Sequence, residues 1–180
     1  MHAASARHRI ALTLAALCAE LGILAWEHLD GGVPAHHLLA NPELPSVSNW
    51  WGLVLVPALA WWTVGQAQGR ADLARRAGTA LRFPPAAGFL CALAYGATLA
   101  ALFTGGSASV DVMFFGLLGL GLVVRLWHGE YLLGFVFGMH LAAGPVLPAI
   151  FGAVIALFSW LAQTAGRALW RRLRASGRPA

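Results

Sequence analysis

The side chains able to trade protons or hold a cation near neutral pH are few: seven carboxylates and seven histidines in 180 residues. Half of them, Glu20, Glu27, His28, Asp30, His36, His37 and Glu43, fall between positions 20 and 43. Imidazole and carboxylate suit zinc, and three protein ligands with water in the fourth place make a catalytic zinc site. The candidate metal ligands are His28, His36, His37 and the distant His140. The candidate catalytic acids or bases are Glu20, Glu27 and Asp111. No HExxH or CxxC is present, and adjacent His36 and His37 cannot point the same way on a helix. The spacing therefore leaves a metal site and a set of solvated interfacial histidines both open.

Glu20 interrupts the apolar run 10–26. A charge at that depth in a bilayer costs several kcal/mol, so such a carboxylate faces a partner, a cavity or a pathway. Glu27 follows seven positions later, two helical turns on, and so shares its face. Three roles are open to Glu20: a protonated group bonded to a neighbouring helix, a proton or ion relay, or a place in a catalytic cleft. His140, alone on an apolar face, reads as a bonded core histidine or as a ligand. His128 and Glu130 beside Arg125 suggest a structural ion pair at a bilayer edge. Ser48 has no GxSxG around it, so Ser46, Ser48 or Asn49 is expected to cap the helix that follows.

These residues need a scaffold, and composition says which kind. Apolar residues make up 59% of the chain and charged ones 11%, where soluble domains carry about 25% charged. All twelve basic residues are arginine, consistent with a GC-rich bacterial genome. They sit at the ends of apolar runs, where the positive-inside rule expects them, leaving no soluble basic surface for nucleic acid. Cys18 and Cys91 lie within apolar runs and read as small fillers, not as a disulfide framework.

A span takes about 20 residues. The basic start and the run 10–26 could pass for a signal peptide, but no small-x-small site ends the run and Glu20 breaks it, so it is expected to be the first span. Residues 132–163 contain no charged side chain and would extend about 48 Å as one helix, too long for a bilayer. Pro145 and Pro148 divide them. The sequence thus predicts an all-α polytopic bundle of six helices over 10–26, 50–67, 84–104, 110–126, 130–144 and 147–167. In an alternative version, 110–144 forms a tilted or re-entrant pair between four full spans.

The chain reads as a single integral membrane domain, residues 1–180. The arginines of the N-terminus, of a basic loop at 68–82 and of a basic tail at 168–180 would all be cytoplasmic. That leaves 27–49 as an extracytoplasmic loop. Gly31, Gly32, Pro34, Pro42 and Pro45 break it, with one helical turn expected at 36–40, and Trp50 and Trp51 stand where an aromatic belt should be. The loop, Asp111 and His140 then share the outer side, above Glu20.

The stretches GGVPAHH, SNWWG and GEYLLGFVFGMHLAAGPVLP resemble small bacterial multi-pass membrane proteins, a resemblance that implies only that the pattern recurs and no activity. Membrane hydrolases related to alkaline ceramidases and adiponectin receptors combine several helices with a zinc site of three His, an Asp and a Ser. This chain lacks their Ser-xxx-His spacing, and position 144, four after His140, is glycine, so their residues are not carried over. The sequence suggests an inner-membrane protein with a polar, zinc-capable site at its outer face, hydrolysing or transferring groups on a lipid-soluble substrate. The alternative is a non-enzymatic small transporter or accessory subunit with Glu20 as a proton-linked group. The lipid bilayer is the implied partner; nothing in the sequence sets an oligomeric state.

Overall fold

The computed structural model describes residues 2–37, 41, 43–81 and 83–176. It is all-α: α1 (His2–Leu29), α2 (Gly52–Arg76), α3 (Pro85–Thr104), α4 (Ser109–Val123), α5 (Gly129–Ala143) and α6 (Val146–Ser176). A small hairpin of β1 (Ala35–His37) and β2 (Ser46–Ser48) joins α1 to α2. The hairpin replaces the helical turn expected at 36–40, of which 38–40 lie outside the described residues. Pro34 and Pro45 immediately precede the two strands and bar helix in the residues before them, and the strands pair antiparallel with His36 opposite Val47 and His37 opposite Ser46. Pro42, Arg82 at the end of the expected basic loop and Arg178 in the expected basic tail also lie outside the described residues.

Three helices are long and apolar enough to cross a membrane, Ser5–Leu29, Pro85–Thr104 and Val146–Arg174, while Ser109–Val123 is apolar but shorter. Large apolar side chains such as Leu14, Phe115, Val154 and Leu157 are exposed. A bundle that is apolar outside as well as inside suits lipid and not water. The helix α2 runs on to Arg76, through much of the expected loop at 68–82. Its last turns, RADLARR, are good helix formers, and Arg75 pairs with Asp72. It stops where Gly78 takes φ 65°, with Gly78 N–H donating to the Arg75 carbonyl and Thr79 N–H to that of Ala74, the paired bonds of a glycine C-cap.

Contacts fix the directions. Gln68 Nε2 donates to the Ser5 carbonyl (2.8 Å) and Arg9 Nε to that of Trp61 (2.9 Å), so α1 and α2 are antiparallel. The helices α3 and α5 run parallel, with Gly88 against Glu130 and Gly96 against Gly138. On α6, Ser159 and Gln163 reach the Gly121 and Val124 carbonyls at the end of α4. The six helices thus alternate in direction. One end gathers the hairpin, the α3–α4 turn and the α5–α6 junction. The described arginines gather at the other.

The tightest seam is α3 against α5. Gly88, Ala92 and Gly96 on α3 meet Gly134 and Gly138 on α5, small residues every four positions that let backbones approach. A Cβ at Gly96 would lie 2.8 Å from the Phe135 carbonyl, and one at Gly138 would collide with that of Leu93. Gly138→Leu should therefore cost about 1–3 kcal/mol and lower the melting temperature in detergent. Gly22→Leu, where a Cβ meets nothing within 4 Å, should leave it unchanged. Equal effects of the two changes would rule the seam out as a determinant of stability.

Candidate functional site

The helix α1 buries a stripe of Ala16, Glu20, Leu24 and Glu27, spaced three and four apart as one helical face requires. Two carboxylates are therefore carried into the bundle by an otherwise apolar face. Glu20 and His140, near the end of α5, are both 0% exposed. Glu20 Oε2 lies 3.5 Å from His140 Nδ1. The pair is within ion-pair range, yet no oxygen of Glu20 and no ring nitrogen of His140 makes a hydrogen bond. The room for Glu20 comes from Gly52, the last letter of SNWWG: a Cβ there would strike Glu20 Oε1 and lie 2.9 Å from Pro145 Cγ.

Two turns along α1, Glu27 Oε1 accepts a 2.8 Å bond from Asn49 Nδ2, while Glu27 Oε2 is buried without a partner. Asn49 sits in the short 3-10 turn Asn49–Trp51, its N–H donating to the Pro34 carbonyl. Of the three expected caps, Ser48 caps this turn, accepting from Trp50 N–H at 3.4 Å. Asn49 turns inward. Gly144 ends α5 at φ 64°, and a Cβ on it would collide with Asn49 Oδ1 and approach His36 Cδ2 to 3.1 Å. The hairpin thereby lays the half-buried His36 over the α5–α6 junction, where it interacts electrostatically with Glu27 and His140. Glu20, Glu27, His36, Asn49 and His140, from four parts of the chain, make one cluster.

The other expected site residues lie at its margins. His28 is exposed on the last turn of α1, and Asp30 is exposed beyond it. His37 is exposed, with Nδ1 2.8 Å from the Leu44 carbonyl. Asp111 is exposed on the first turn of α4. Among the described residues no three His, Cys, Asp or Glu side chains are placed to hold one metal ion, so His28, His36, His37 and His140 do not converge as ligands.

Beside the cluster, α3, α4, α5, α6 and β1 line an open cavity of about 580 Å³. Its walls include Leu99, Phe103, Phe114 and Phe151, and among the described residues its polar lining is His36, His37 and Asp111. The sequence offered no signal for this cavity, since its walls come from four separated helices and the hairpin. Asn49 left a faint one, a lone amide between a capping serine and two tryptophans.

The opposite end carries a second buried carboxylate with a different character. The ion pair expected around His128 and Glu130 forms, and its cation from outside that stretch is Arg70 of α2, which grips both Glu130 oxygens through Nη2, at 2.7 and 2.6 Å. Gln66 Oε1 accepts the Gly129 N–H at 2.9 Å, and His128 Nδ1 lies 3.7 Å from Glu130. Burial lowers the pKa of His128, Arg70 adds to the effect and Glu130 opposes it.

No family model, curated protein or solved structure matches this chain.

Burial also lowers the pKa of His36 below its ordinary 6.5, with the charge of Glu27 pulling the other way. The folded protein thus keeps His36 neutral where the unfolded chain would already bind a proton. Its contribution to stability is complete above pH 6.5 and is lost as the pH falls through the lower folded value. His36→Gln should flatten this acid limb of the melting temperature against pH. An identical limb in wild type and variant would show that His36 is not buried in this way.

Proposed function

We propose that this chain is a six-span bacterial inner-membrane protein that transfers protons during hydrolysis or group transfer on a lipid-soluble substrate. The observation that carries this reading is the position of His36, which lines the apolar cavity and lies at Gly144 beside Asn49, the residue that bonds Glu27. The cavity would take the apolar part of a substrate. His36 would then draw a proton from an attacking water or hydroxyl and return it to the leaving group. Glu27, oriented by Asn49, supports the imidazolium that forms, and the Glu20–His140 pair behind it completes the polar path. General acid–base catalysis of this kind is worth about 10²–10⁴-fold in rate.

The six-span arrangement draws support from the alternating helix directions and from the arginines at one end, which the positive-inside rule assigns to the cytoplasm. The helices α4 and α5 have 15 residues each, fewer than the about 20 of a full crossing. Backbone at depth must be satisfied within the protein, and Ser159 and Gln163 provide for the freed Gly121 and Val124 carbonyls. A cysteine at position 36, in protein lacking Cys18 and Cys91, should react with membrane-impermeant maleimide in intact cells. Reaction with permeant reagent alone would reverse the orientation.

The chemistry is tested in proteoliposomes containing a total bacterial lipid extract, with products followed by mass spectrometry. Wild type should convert at least one lipid class, and Glu20→Gln, His36→Asn and His140→Asn should each slow conversion about 10²-fold. Gly52→Ala, which pushes Glu20 aside, should act like them. The complete burial of the Glu20–His140 pair favours a second reading, a proton-linked transporter. It would show as proton uptake abolished by Glu20→Gln with no lipid converted. Zinc near one equivalent in protein purified without chelator would add a metal to the first reading.

A further inference from the structure

The helix α6 is longer than a crossing needs. Its 31 residues extend about 46 Å at 1.5 Å per residue, against a bilayer core of about 30 Å. About 20 residues from Val146 complete a crossing, so Arg167 and the turns after it belong to the headgroup layer. Those turns have two faces. Leu169, Trp170 and Leu173 are exposed on one side. Arg167, Arg171 and Arg174, three and four apart, are exposed on the adjoining side.

The charge on this segment is not answered within the chain. Residues 131–180 contain no Asp or Glu. Elsewhere at the same end, Arg70 pairs with Glu130 and Arg75 with Asp72. Among the described residues no carboxylate lies within ion-pair distance of Arg167, Arg171, Arg172 or Arg174. Two of these guanidiniums are nevertheless held in place. Arg167 Nε donates to the Gln163 carbonyl at 2.9 Å and Arg171 Nε to that of Arg167 at 3.3 Å. Their terminal nitrogens remain as donors. Arg167 also lies 5.8 Å from the centre of the Trp127 ring. With Thr164, Gly166 and Trp170, the two arginines line an open depression of about 490 Å³.

Two guanidinium forks one helical turn apart suit a phosphate group. A soluble polyanion would satisfy them but would leave Leu169, Trp170 and Leu173 facing water. A membrane lipid answers both faces, with phosphate for the arginines and the acyl boundary for the apolar side chains. In a zwitterionic lipid the headgroup cation competes for its own phosphate; in an anionic lipid that charge is uncompensated.

We propose that the last turns of α6 bind an anionic phospholipid, its headgroup phosphate held by Arg167 and Arg171 beside Trp170. This goes beyond the function proposed above and uses no group at the hairpin end.

The test is native mass spectrometry of the full chain in nonionic detergent, titrated with phosphatidylglycerol or with phosphatidylcholine of the same acyl chains. Wild type should hold phosphatidylglycerol the more tightly. Arg167→Gln with Arg171→Gln should weaken phosphatidylglycerol about 30-fold and leave phosphatidylcholine unchanged. Arg75→Gln with Arg76→Gln removes the same charge from the same end and should weaken it far less. Raising the ammonium acetate concentration should shrink the preference of wild type, a readout that needs no variant. Equal affinity of wild type for the two lipids, or equal losses in the two double variants, overturns the proposal. So does a single-stranded oligonucleotide bound by wild type as tightly as phosphatidylglycerol.

Discussion

Glu20 has no exposed surface, and a buried carboxyl group must be accommodated by whatever surrounds it. Much of the hairpin end can be derived from that one requirement. The helix α2 must begin with glycine, because any side chain at position 52 would occupy the space of Glu20 Oε1. The helix α5 must deliver His140, among the described residues the one basic group within ion-pair distance. Pro145 closes the cluster from the α5–α6 junction. SNWWG then parses residue by residue. Ser48 caps the turn, Asn49 holds Glu27, Trp50 and Trp51 are exposed where a membrane boundary would lie, and Gly52 clears Glu20.

The position of His140 depends in turn on the α3–α5 seam. Helices in lipid gain little from burying apolar surface against each other, so close backbone packing has to supply their association. The glycines of GFVFG on α5, set against Gly88, Ala92 and Gly96 on α3, provide it. A seam this close fixes the depth of α5 and hence of His140 near its end. It also spends the small residues of α3 on α5, leaving α4 to pack on α6 and the open cavity to remain between.

What was legible in the sequence followed from periodicity and charge. The apolar runs give the six helices to within a turn at most ends. The spacing of Glu20 and Glu27 gives their common buried face, and the parity of arginine-bearing ends brings the hairpin, Asp111 and His140 to one side. What was illegible depended on choices among partners. Glu130 lies five positions from Arg125 yet takes Arg70, sixty positions away, because α2 extends helically past the expected boundary and carries the guanidinium to it. A hairpin with three-residue strands has too little periodicity to announce itself. GFVFG is a different case: its small-residue spacing stood in plain view, and its meaning needed the opposing glycines of α3.

The two ends of the bundle show why burial alone does not mark a site. Each holds a nearly inaccessible glutamate beside a basic side chain. At the arginine end both Glu130 oxygens are bonded by one guanidinium, so the charge is met by a fixed partner, and a charge paired in this way is a clamp between α2 and α5. At the hairpin end Glu20 and His140 lie 3.5 Å apart without a hydrogen bond, and Glu27 keeps one oxygen unpartnered. Unmet hydrogen-bonding capacity costs about 1–3 kcal/mol per buried group. A fold whose scaffold is otherwise closely matched can carry that cost where the capacity serves something that comes and goes. In the function proposed above, that something is a proton or the polar end of a substrate whose apolar part would fill the adjoining cavity.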